Sequence, residues 1–299
     1  MVKKCRKSSE VILANGVQKF SFVDVMIYII LGLLVVTMVV PFMNIISISL
    51  SDYTSVVSDK TMLIPKNLNF SAYKIIFNVE VYRAFFLTAF VTVANTTLHI
   101  ILCMMAAYPL AKKELPGRKV MFIYVLFTML FSGGTIPFYI LVRDLGLTDN
   151  VLVYILPGVV GAYTVVLMKN FIGQIPKSLE EAALTDGANY LYILFKIIFP
   201  LSKPIIATMA LFNAVGVWNN WFTAVLFVKD KNLYLIQNVL REMLIEGNMA
   251  AFGQTNLMQT FDDSVKMAAI IVSIIPIVAI YPFVQRYFTK GLYLGSVKE

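Results

Sequence analysis

Six stretches of about 18 or more largely apolar residues constrain this chain more than any other feature. They run from Met26 to Leu50, Phe85 to Leu110, Val120 to Val142, Val151 to Phe171, Ile205 to Val228 and Met267 to Phe288. At 1.5 Å per residue a helix of about 20 residues crosses the roughly 30 Å hydrocarbon layer of a bilayer. Backbone N–H and C=O groups find no partners in lipid, so each run is expected to close its own hydrogen bonds as a helix. The expectation is an all-α integral membrane protein with six transmembrane helices. The 14% of charged residues, against about 25% in an average soluble domain, points the same way. Pro41, Asn95, Pro137, Pro157 and Pro276 interrupt the runs, and neighbouring helices satisfy such residues better than lipid does, so a packed bundle is expected.

Charge sets the expected orientation. Residues 1–22 read as a retained tail, because no small-residue cleavage pattern follows the first run. The tail carries Lys3, Lys4, Arg6, Lys7 and Lys19 against the single acid Glu10, which places it in the cytoplasm by the positive-inside rule. Six spans return the C-terminus to that side. Sixteen of the 25 Lys and Arg then fall inside, including Lys112, Lys113, Arg118 and Lys119 between the second and third runs. The net charge of +8 is thus read as topology, and no basic patch interleaved with aromatics points to a nucleic-acid partner. Cys5 on the tail and Cys103 inside the second run do not suit a structural disulfide.

The fourth loop, about residues 172–204, departs most from its apolar surroundings with "PKSLEEAALTDGA" from Pro176. Pro176 and Ser178 suit a helix start, Glu180 and Glu181 lie where the helix dipole favours acids, and Gly187 permits a turn. A second helical run, Ala188 to Phe199, leads to Pro200 and Pro204. Ala182 and Ala183 allow a backbone to approach a partner surface closely. Spacing alone fits a docking helix and an interfacial helix that merely links two spans equally well.

Glu181, Ala182, Ala183, Asp186, Gly187, Ala188, Ile198, Pro200 and Pro204 resemble the Glu-Ala-Ala signature of permease subunits of bacterial ABC importers. "IPFYILVRDLGLTDN" from Ile136, "VGVWNNWFTAVLF" from Val215 and "VQRYFTKGLYLGSVKE" at the end look like the carbohydrate-uptake branch, specifically its maltose-type second permease. The resemblance covers essentially the whole chain. It implies the type I ABC importer permease fold over residues 23–299, in the bacterial cytoplasmic membrane with both termini cytoplasmic. The short helix Ser178 to Asp186 would be the coupling helix that enters a cleft on an ATP-hydrolysing subunit. Glu180, Glu181, Ala182, Ala183, Asp186, Gly187, Ala188 and Pro200 are then the ATPase-coupling residues. The implied partners are a second homologous permease, two copies of the ATP-binding cassette subunit, an extracellular solute-binding protein and the lipid bilayer.

A sugar path needs faces on which rings stack and fixed donors and acceptors for hydroxyls, which aromatics and amides supply. Phe212, Asn213, Trp218, Asn219, Asn220 and Trp221 cluster in the fifth run, and Tyr154 and Tyr163 lie in the fourth. Tyr163, Asn213, Trp218 and Asn219 are taken as the path candidates. The same residues also suit an interfacial aromatic belt and amides that pack helices. The long outer loop, about residues 229–263, carries leucines at mixed helical spacing, which fits a helix on the membrane surface. By the resemblance, part of it would instead contact the binding protein.

No G-x-x-x-x-G-K-[ST] phosphate loop occurs, so ATP and Mg are assigned to the partner ATPase and no cofactor to this chain. His99, the single histidine, has no metal-spaced neighbours and is read as a polar residue facing another helix. No carboxylate chain crosses the runs, which counts against a proton-coupled transporter. The expected function is uptake of an oligosaccharide by a chain that is not itself an enzyme. The alternatives are the same architecture for a peptide, an amino acid or a polyol, and a membrane-embedded enzyme or regulator.

Overall fold

The computed structural model describes residues 22–59, 61–77, 79–245 and 262–296. Most of the tail, the tip of the long outer loop and the last three residues lie outside the described residues. What is described is helical, apart from turns and one isolated bridge between Ser51 and Leu68.

Helix α1, Phe22–Ser49, is apolar on every side and exposes nearly all of its length, as a helix does when its solvent is lipid. At its end Ser51 donates to Ser47 O at 2.6 Å and Asn44 to Met62 O at 3.0 Å, which folds the first outer loop back over the bundle. That loop holds α2, Tyr53–Ser58, and α3, Ser71–Ile76. Helix α4, Val79–Ala111, runs unbroken for 33 residues, about 50 Å.

The third, fourth and fifth apolar runs differ from expectation, because none forms one continuous helix. The third splits into α5, Arg118–Leu130, and α6, Thr135–Asp144, which meet at 109°. Gly133 and Gly134 lie at the break, Gly134 at φ +91, and Pro137 sits in the first turn of α6, where a missing N–H costs nothing. The fourth run begins as a short 3-10 turn, Val151–Tyr154, capped by the Asn150 side chain, and becomes helical again only in α7, Ala162–Ile172. Pro157 lacks the N–H a helix needs, and Gly158 stands at φ +72.

Beyond α7 come α8, Lys177–Thr185, and α9, Tyr190–Ile193, which passes through a π segment, Leu194–Ile198, into α10, Phe199–Leu201. An 82° bend at Ser202 starts α11, Lys203–Trp218. Asn219 to Trp221 separate α11 from α12, Phe222–Phe227. Helix α13, Ile236–Ile245, lies in the long outer loop, and α14, Asp262–Ser296, follows. Among the described residues three helices are individually long and apolar enough to cross a membrane, or up to five if each bent pair counts as one span.

Helix α4 organises the rest, because α7, α11 and α13 all pack on it. One core joins its N-terminal part to α13, α14 and Trp218, and another joins its C-terminal part to α7, the π segment and Met209 of α11. The outer-loop helix α13 is amphipathic, and its Ile236, Val239, Leu240 and Met243 are buried in the first of these cores. It is therefore a packed element of the bundle, with Arg241 stacked on Trp221 at 3.7 Å and Glu242 paired with Lys231 at 3.0 Å.

Candidate functional site

Among the described residues, two places gather polar groups to which the sequence pointed. The first is α8 and the turn after it. The turn is a Schellman cap: Gly187, at φ +83, donates to Leu184 O at 3.0 Å, and Ala188 donates to Ala183 O at 2.9 Å. Asp186 closes the helix by donating to Ala182 O at 3.0 Å. Asn189 then caps α9, its side chain accepting from Tyr192 N at 2.8 Å. Pro200 lies in α10, immediately before the bend at Ser202.

Successive residues on a helix point about 100° apart, and the two acids of α8 accordingly have different surroundings. Glu180 faces the bundle, where it forms an ion pair with Lys112 and accepts from Tyr108 Oη at 2.9 Å. Glu181 and Ala182 are exposed, and among the described residues no cation lies within ion-pairing reach of Glu181. Ala183 is half-buried and, with Ala188, packs against the core around the C-terminal part of α4. Lys177 and Glu114 form a second ion pair between α8 and the loop after α4, and the Lys177 ammonium holds the Glu114 carboxyl below the usual carboxylate range. Beside these groups lies a cleft of about 650 Å³, lined by both acids of α8 and by apolar residues that include Met105, Leu184 and Leu194.

The second place is a cavity of about 310 Å³ where the broken fourth run meets α4, α11 and α12. The break at Pro157 releases carbonyls that no helix uses, and α4 supplies their donors. Asn95 Nδ2 donates to Tyr154 O at 3.1 Å and to Ile155 O at 3.0 Å. His99 Nδ1 lies 2.7 Å from Val159 O, and a carbonyl only accepts, so Nδ1 carries a proton. The other ring nitrogen meets the Thr164 hydroxyl at 3.0 Å. Asn213 Nδ2 in turn donates to Asn95 Oδ1 at 2.9 Å and to Thr96 Oγ1 at 3.2 Å. With its donors so engaged, Asn213 has Oδ1 left to accept from a ligand hydroxyl. Phe138, Phe212 and Phe227 line the cavity with rings, and Asn220 and Thr223 add polar groups.

The path candidates do not converge. Asn213 lines the cavity, whereas Tyr163 is exposed on α7. Trp218 is buried in the other core, donating from Nε1 to Ser273 O at 3.0 Å and packing edge-on to Phe85. Asn219 caps α11 at an exposed position, donating to Val215 O at 3.0 Å and accepting from Gln237 at 3.1 Å. The inward role of Glu180 and the carbonyl-binding role of Asn95 were not anticipated. For Asn95 the signal was an amide within an apolar run; for Glu180 it was the basic cluster at Lys112, which periodicity does not connect to α8.

Comparison with known proteins places the chain. Residues 99–292 match the profile of the binding-protein-dependent transport system inner membrane component. The polygalacturonan/rhamnogalacturonan transport system permease protein YtcP of Bacillus subtilis (strain 168) is 41% identical over 281 residues, 92% of this chain and 98% of that protein. Protein LplC of the same organism is 37% identical over 263 residues, 87% of this chain and 89% of its own. A chain of a bacterial ABC transporter involved in the import of the acidic polysaccharide alginate superposes with a TM-score of 0.83 at 31% identity, covering 91% of this chain and all of that one. Broken apolar runs, a capped polar helix between two of them and matches that span most of the chain thus lead to one assignment: this protein belongs to the binding-protein-dependent inner membrane components, the permease subunits of bacterial ABC importers.

Proposed function

We propose that this permease carries an oligosaccharide across the cytoplasmic membrane, with α8 as the coupling helix through which a separate ATP-hydrolysing subunit drives it. The observation that carries the reading is the division of α8: Glu180 is held by the bundle, while Glu181 and Ala182 face outward with no partner among the described residues. An exposed acid beside small side chains suits a basic cleft on a partner. Six spans follow if the bent pair α5 and α6, the interrupted fourth run and the bent pair of Tyr190–Leu201 with α11 each count as one crossing, with both termini cytoplasmic. A second permease, two ATPase copies and an extracellular binding protein complete the assembly, and ATP and Mg are held by the ATPase.

The relatives whose names specify polygalacturonan, rhamnogalacturonan and alginate support a saccharide cargo. The cavity beside Asn213 supports it chemically, since phenyl rings offer stacking faces for sugar rings and the amides offer acceptors and donors for hydroxyls. The test is ATP hydrolysis by the reconstituted importer, with binding protein loaded with oligosaccharide or with peptide. Stimulation by the oligosaccharide-loaded protein alone is expected, and Glu181→Lys should abolish that stimulation while leaving membrane insertion intact. Stimulation by the peptide-loaded protein, or an unaffected Glu181→Lys importer, would overturn the reading.

A further inference from the structure

We propose that Glu180 is a positioning residue that latches α8 to α4, so that movement of α8 is passed along α4 to the cavity at Asn95. The inference rests on the reading of α8 as the coupling helix and assigns its second acid a different task from that of Glu181.

Helix α8 is otherwise weakly held. None of its residues is fully buried, and Ala183 is its main apolar contact with the bundle. The helix is attached at its C-terminal end through the cap at Gly187, and along its length through Ala183 and two polar ties. Lys177 and Glu180 lie three residues apart and so share a face. Both reach the same stretch, Lys177 to Glu114 and Glu180 to Lys112 and Tyr108.

The two ties are unequal. The pair of Lys177 and Glu114 is more than half exposed on both sides, where ion pairs contribute little. The Glu180 and Lys112 side chains are only 15% and 23% exposed. The Lys112 ammonium also sits 4.4 Å from the centre of the Tyr108 ring, whose hydroxyl donates to the same Glu180, so the three groups close on one another. Removing one member leaves a partly buried charge without its partner, which makes this latch hard to open by a small push.

Tyr108 belongs to α4 itself, and Lys112 follows its last residue. From Tyr108 to Asn95 the helix is continuous, and 13 residues at 1.5 Å each place the two about 20 Å apart along its axis. Asn95 holds the carbonyls of the broken fourth run and the amide of Asn213. A displacement of α8 that carries Glu180 with it therefore shifts or turns one continuous helix whose middle organises the cavity wall. Coupling between two sites requires an element that both of them bias, and α4, tied to α8 at Tyr108 and to the cavity at Asn95, is such an element.

The experiment measures oligosaccharide transported per ATP hydrolysed by the reconstituted importer, together with the amount of ATPase subunit that copurifies. Glu180→Gln and Lys112→Ala are expected to copurify with the ATPase subunit, yet to lower transport per ATP by about 10-fold. The exchanged pair Glu180→Lys with Lys112→Glu restores the tie with reversed charge and should recover most of the ratio, which no simple loss of folding would do. Wild-type stoichiometry in Glu180→Gln, loss of the ATPase subunit from that variant, or failure of the exchanged pair to recover the ratio would each overturn the latch. Glu181→Lys is run alongside: if it too keeps full coupling, the coupling-helix reading has failed, whereas a defect in Glu181→Lys beside an unaffected Glu180→Gln removes the latch alone.

Discussion

Gly187 occupies a conformation that other residues adopt at a cost. Its φ of +83 lets its own N–H and that of Ala188 fold back onto the last carbonyls of α8, while a Cβ there would meet nothing within 4 Å. Space is available, so the penalty of substitution is conformational. Gly187→Ala is expected to lower the stability of the α8 turn by roughly 1 to 2 kcal/mol, and Gly187→Asn by less, because Asn visits the left-handed region more readily. Thermal unfolding in detergent reads the difference, and equal losses for both variants would contradict it. This turn was legible in the sequence, since Asp-Gly after a helical run is a known stop signal. Asn95 was legible only in part: an amide inside an apolar run announces a partner, but its partners, the carbonyls released some 60 positions later, depend on where Pro157 breaks the fourth run.

Among the helices and turns, the apolar runs located the bundle and concealed its breaks. Hydropathy responds to composition, and Phe131-Ser132-Gly133-Gly134 or Leu156-Pro157-Gly158 change it little, although each supplies the residues that end a helix. At the fourth run, polar groups of α4 then pair with the freed carbonyls, and that pairing is tertiary information. The same holds outside the helices at Asp149, whose φ of +52 places its carboxylate under the turn before α13. It accepts from Asp230 N at 3.0 Å and from Lys229 N, and these two donors, Asp230 first, hold its pKa below the ordinary 3.8. A carboxyl whose folded pKa is depressed stabilises the fold above its unfolded pKa and loses that contribution as pH falls through the folded value. Hydrogen exchange at the Lys229 and Asp230 amides should therefore stay protected at pH values above 3.8 and open only below it. Asp149→Asn should remove that acid-dependent opening, and protection lost well above pH 3.8 would contradict the assignment.

At the scale of the whole molecule, one long helix joins a polar attachment at one end to an amide-lined cavity nearer its middle. The α4 helix carries Tyr108 beside Glu180 and Asn95 beside Asn213, while α13 and α14 close the other end over Trp218. Membership of the importer permease family was readable from the spacing around Glu181, because that spacing is local to one loop. The cavity was not, because its walls come from four runs, three of them broken, and of the aromatic and amide cluster in the fifth run only part faces it. The account as a whole depends on the outward face of α8 meeting an ATP-hydrolysing subunit. The most direct measurement places a photo-crosslinking residue at Ala182 on that face, and in a second variant at Asn219 at the opposite end of α11, and identifies the adducts formed in native membranes. The account predicts an adduct with the ATPase subunit from position 182 and none from position 219. An ATPase adduct from position 219, or its absence from position 182, would contradict it.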